Sequence, residues 1–78
     1  MTKKENEKME NLLTEAIVNA KLSKEAYNNY EKSTHRIEKE IHLRKADGYR
    51  GYAQGINQVL ATLHFEHDNM KLLNELLD

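Results

Sequence analysis

A chain of 78 residues without cysteine has neither disulfides nor a thiolate zinc site to stabilise it. A single core of this size buries too little apolar area to be comfortably stable alone, which makes oligomerisation the expected support. Charged residues at 32%, hydrophobic residues at 38%, no proline and a net charge of −1 argue against a sheet and against a strongly basic nucleic-acid surface, and favour long, largely exposed helices.

The first dozen residues, MTKKENEKMENL, lack the apolar stretch of a signal peptide, and no run approaches the roughly 20 apolar residues that a membrane span needs. A cytoplasmic protein with no membrane partner is expected. Charge is unevenly divided: residues 1–46 hold ten Lys/Arg against eight Asp/Glu, and residues 47–78 hold two against five. Antiparallel halves would therefore attract weakly, either within one chain or between chains.

Thr2 followed by Glu5 fits a capping box at the start of the first helix. From there a 4,3 spacing runs through Met9, Leu13, Ala16, Ala20, Ser23, Tyr27, Tyr30, Thr34, Ile37 and Ile41. This is a heptad seam, flanked by Leu12, Ile17, Ala26 and Leu43. Polar Ser23 and Thr34 within it would fix register or partner number, and Ser23 could alternatively begin a second helix after a break at Leu22. The favoured reading is one unbroken helix over residues 3–46, about 65 Å long at 1.5 Å per residue.

A turn is expected at 47–48, because Asp47-Gly48 follows the basic helix end Arg44-Lys45. The second helix, over 49–77, carries its own seam through Tyr49, Tyr52, Ile56, Val59, Leu63, Glu66, Met70, Leu73 and Leu77. A kink is expected near 67–69, where Asp68 or Asn69 could cap a last short helix. The architecture is thus all-α: a coiled-coil-like helical hairpin of two long amphipathic helices, oligomeric through its seams.

All three glycines fall within eight positions, in the pattern G-x-x-G-x-x-x-G. Neither a preceding strand nor a following Lys-Ser/Thr accompanies them, so a phosphate loop does not fit. Gly48 is read as the turn, and Gly51 and Gly55 as points of close helix packing. A longer loop ending near Gly51, or a groove for a ligand or peptide, are the other readings of the cluster.

His64, His67 and Asp68 could converge on one helix face as metal ligands, but they lack the H-E-x-x-H pattern that would supply a metalloprotease base, and the favoured reading is polar helix surface with no metal. His35 and His42 flank the first seam, where they could make assembly sensitive to pH. No nucleophile can be matched with a base, and neither an enzyme nor a cofactor is expected. Arg44, Lys45, Arg50, Tyr49 and Tyr52 form the candidate partner site, since Tyr and Arg carry much interface energy. Basic residues interleaved with aromatics would equally suit nucleic acid or a signalling nucleotide.

In size and in its Lys/Asn/Glu-rich composition the chain resembles the small helical accessory proteins of phages and mobile elements from low-GC Gram-positive bacteria. That resemblance covers the whole chain and implies a protein that binds and inhibits, or adapts, a host or phage protein. The alternatives are the nucleic-acid or nucleotide binder and a structural coiled-coil element of a larger assembly.

Overall fold

The computed structural model describes residues 2–78, which form three helices and no strand: α1 (Lys3–Lys32), α2 (Arg36–Thr62) and α3 (Asp68–Leu77). The molecule is a rod with extents of 50 × 17 × 16 Å. Helices α1 and α2 lie antiparallel as a hairpin, and α3 folds back to touch both.

Helix α1 starts as its sequence implies. Thr2 is the N-cap, and its Oγ1 accepts from the Glu5 amide at 3.1 Å while the hydroxyl lies 3.1 Å from the Glu5 carboxylate. Leu13, Ala16, Ile17, Ala20, Ser23 and Ala26 are buried along it, so the expected seam from Leu13 to Ser23 forms but is spent on packing within the chain and is not free for an oligomer, while its continuation at Tyr27 and Tyr30 is only half-buried. Ser23 sits well inside α1 and begins no helix.

The expected continuous helix to residue 46 is not formed; the chain turns at Ser33–His35. Ser33 ends α1 in an extended conformation, its amide donating to the carbonyls of Asn29 and Tyr30 and its Oγ donating to Asn29 at 2.8 Å. A serine hydroxyl that bonds a carbonyl one turn back, followed by β-branched Thr34, weakens helix propagation here. Across the turn the Lys39 ammonium lies 4.9 Å from the centre of the Tyr30 ring. Beyond the turn the first seam ceases to be a seam: Ile37 is 74% exposed and Ile41 is also exposed.

The expected turn at 47–48 is likewise absent. Gly48, Gly51 and Gly55 all lie inside α2, and none has a positive φ. The residues of α2 fully buried against α1 are Ala46, Ala53 and Leu60, one register away from the predicted Tyr49/Tyr52/Val59 line. Small residues on both helices explain the choice. Toward the turn the buried positions are small on both helices, Ser23 and Ala26 on α1 and Ala46 on α2, and the Ser23 hydroxyl reaches the Ala46 backbone directly; the large Leu13 and Leu60 are buried only nearer α3.

The second helix ends at Thr62, short of the expected 77. Three bonds close it: the Leu63 amide to the Val59 carbonyl at 3.1 Å, the His64 amide to Ala61 at 3.0 Å, and the Phe65 amide to Leu60 at 3.0 Å. The last two form a Schellman motif, with His64 in the left-handed region at φ 55° where glycine is usual. Phe65 and Leu60, the hydrophobic pair of that motif, are both buried in the core. Helix α3 then begins at Asp68. Its cap is His67, not Asp68 or Asn69: the imidazole Nδ1 accepts from the Asn69 amide at 3.1 Å, and the ring stacks on Phe65 with centroids 5.9 Å apart.

The core collects Leu13, Ala16, Ile17 and Ala20 from α1, Ala53 and Leu60 from α2, Phe65 from the connection, and Leu73 and Leu77 from α3. It occupies the α3 end of the rod. No described helix is long and apolar enough to cross a membrane.

Candidate interaction surface

The five residues predicted to form a partner site at a hairpin tip lie instead along the middle of α2, and they do not converge. Arg44 and Lys45 are exposed and Tyr49 is half-buried against α1, lining a shallow depression with Leu22, Ala26 and Asn29. Arg50 is half-buried, and its guanidinium donates to the Leu77 carbonyl at the end of α3. A cation on the last turn of a helix complements the helix dipole, so Arg50 holds α3 in place.

Tyr52 points to α1, where its hydroxyl donates to the Glu15 carboxylate. That bond, then desolvation and the negative charge of Glu15, raise its pKa above the ordinary 10.0. On the α3 side, the Tyr27 hydroxyl donates to Asp47 at 2.7 Å. Its pKa is raised as well, first by this bond, then by desolvation and the Asp47 charge, with Arg50 acting the other way. Asn57 donates to Asn74 at 3.0 Å and pins α3 further. The polar groups near the glycines therefore serve the hairpin's own geometry.

What remains is a second apolar stripe on α2. Ile37, Ile41, Gly48, Tyr52, Gly55 and Val59 recur at helical spacing and lie on the side turned away from Ala46, Ala53 and Leu60. Tyr52, Val59 and Leu63, all predicted in a seam, are about half exposed, as is Ile41. These residues and Ile37 are thus not core within the chain; among the predicted seam residues of the second half, Leu73 and Leu77 are buried while Ile56 and Met70 are half-buried. Leu12 of α1 joins Gly51, Tyr52, Gly55, Ile56 and Val59 in lining an open groove of about 500 Å³, almost wholly apolar. Sequence reading missed Leu12, whose only signal was its place beside the first seam.

Close packing at Gly51 and Gly55 is not found within the chain. A Cβ added at either, or at Gly48, would meet nothing within 4 Å. Glycine inside a helix costs about 1 kcal/mol relative to alanine, and no contact inside the hairpin offsets that cost at any of the three positions. From Gly51 to Phe65 there is no Lys, Arg, Asp or Glu, in a chain otherwise dense in charge. Interface centres are depleted of charge in this way.

His67 Nε2 lies 3.9 Å from the Glu10 carboxylate. Among the described residues no three His, Asp or Glu side chains are grouped so as to hold a metal ion. No protein-family model, curated protein or solved structure matches the chain.

Proposed function

We propose that the chain is a non-enzymatic protein-interaction module, a helical hairpin that uses the outer face of α2 to occupy or adapt another protein surface. The observation that carries this reading is the double amphipathicity of α2. One stripe, Ala46/Ala53/Leu60, is buried on α1, and the other, Ile41/Tyr52/Val59 with its glycines, is left about half exposed even where the Tyr52 hydroxyl reaches Glu15. A contiguous exposed apolar patch on a small chain marks an interaction site. The mode of action agrees with that of the phage and mobile-element accessory proteins that the composition resembles. Nucleic-acid binding finds less support, because Arg50 and both tyrosines at 49 and 52 are engaged against α1 or α3 and only Arg44 and Lys45 of the basic set are free on the surface.

The test uses a photo-crosslinking amino acid placed at Val59, and separately at Lys24 on the exposed side of α1, in cells producing the protein. Covalent protein adducts at position 59 and few at position 24 are expected. Equal yields at the two positions would remove the assignment of this face.

A further inference from the structure

We propose that the occupant of the outer face of α2 is a second copy of this chain, laid antiparallel so that the two α2 helices cross near Gly51 and Gly55. The proposal rests on the reading of that face as a docking surface and names what docks there.

The distribution of charge along the rod selects the partner. The turn-proximal half, residues 21–50, holds eight basic and five acidic side chains, and the α3 half, made of the remaining residues, holds four and eight. The rod is therefore positive at one end, by three, and negative at the other, by four. A second copy laid antiparallel sets each basic end along the other's acidic end, whereas a parallel copy would set like charges together. Arg44 and Lys45 mark the basic end of the outer face, and Glu66 and Asp68 lie just beyond its other end.

Shape agrees with charge. A two-fold axis through the Gly51–Gly55 segment makes the face self-complementary, as an isologous dimer requires. At the crossing each helix presents positions with open space around them, so the backbones can come closer than the 8–10 Å usual for packed helices. On either side of the crossing, Ile41 of one copy lies opposite Leu63 of the other and Val59 of one opposite Gly48 of the other, and Ile41, Val59 and Leu63 are all exposed in the single chain. The groove lined by Leu12, Tyr52 and Ile56 then receives side chains from the second α2, and two hairpins become a four-helix arrangement.

The experiment is light scattering of the purified full chain across a wide range of concentrations, with circular dichroism to follow folding. A reversible dimer is expected. Gly55→Leu should leave the helical spectrum intact, because its side chain meets open space in the monomer, yet weaken dimerisation by about tenfold or more, the loss typical of a central interface position. Val59→Glu should do the same. Added salt should weaken the wild-type dimer. In a mixture of Arg44→Cys and Thr62→Cys chains, disulfides should join 44 to 62 and not 44 to 44.

A chain that stays monomeric overturns the proposal, and so does a dimer indifferent to both substitutions. Joining of 44 to 44 overturns the antiparallel arrangement. Should the purified chain be monomeric while Val59 still yields adducts with other cellular proteins, the docking face stands and only the second copy is refuted.

Discussion

The Ser23 hydroxyl donates to the carbonyl of Ala46 at 2.9 Å, from inside α1 to the inside of α2, with Ser23 only 3% exposed. This is the one polar contact in the narrow Ala/Ser seam, and a one-residue slip of α2 would leave the hydroxyl buried without a partner. Polar groups at such positions specify register at the cost that a missing partner would impose.

Ser23→Ala should therefore destabilise the fold by about 1 kcal/mol, the net worth of an ordinary buried hydrogen bond. Ser23→Leu should cost more, because the seam admits only small side chains and overpacking costs about 1–3 kcal/mol. Urea denaturation of both variants against wild type measures the two; equal midpoints for Ser23→Ala and wild type would show the bond to be neutral.

His64 offers a gain. It holds φ 55° at the Schellman position where glycine is at ease, and a side chain there carries backbone strain. Its side chain is exposed and hydrogen-bonds to nothing described, so little is lost on removing it. His64→Gly should raise stability by about 0.5–1 kcal/mol, seen as a higher melting temperature.

The cap of α3 is a further point of control. His67→Ala should cost about 1 kcal/mol and fray a helix of only ten residues, while His67→Asn should retain the cap. Proteolysis near residues 66–70 reads the difference. Equal cleavage of the two variants would show that the stack on Phe65, and not the hydrogen bond, holds the helix start.

Alkaline pH should loosen the hairpin. Tyr27 and Tyr52 both have pKa values raised above 10.0 in the folded state, through their bonds to Asp47 and Glu15. The folded state thus favours the protonated phenol. Its contribution is fully present below pH 10 and is lost as pH rises through the raised values, because the unfolded chain releases those protons first. Melting temperatures should be flat from these groups near neutrality and fall above pH 10. A Tyr27→Phe/Tyr52→Phe variant should fall less steeply there.

The all-helical character, the Thr2 cap, the α1 seam from Leu13 to Ala26 and the break before Asp68 were legible in the sequence, because a 4,3 apolar spacing and a capping pair are local signals. The turn was not. Asp47-Gly48 is a strong local stop, but glycine merely permits a turn, and the helix runs on where Ala46 before it and Ala53 after it are both buried against α1. Ser33-Thr34-His35 contains neither glycine nor proline, and Ile37 and Ile41 happen to continue the heptad spacing beyond it. The register of α2 was misread for a related reason. Tyr49, Tyr52 and Val59 outweigh Ala46 and Ala53 in hydrophobicity, yet the stripe that is buried, Ala46/Ala53/Leu60, has small residues where the hairpin is narrowest. The tyrosine and valine then fall on the exposed side, and the candidate surface moves from a tip to a face.

No residue between Tyr27 and Lys45 is buried, and the whole apolar cluster lies toward the other end of the rod. The turn region can therefore open while exposing, of its apolar side chains, only the half-buried Tyr30 and Leu43 to water. Amide hydrogens around residues 30–42 should exchange with solvent quickly, while those near Leu13, Ala20, Ala53 and Leu60 wait for global unfolding. For the same reason the connection at Ser33–His35 is where extra residues or a fused domain could be inserted with least disturbance. The rod is anchored at its α3 end, and its turn is free to breathe and to change in length.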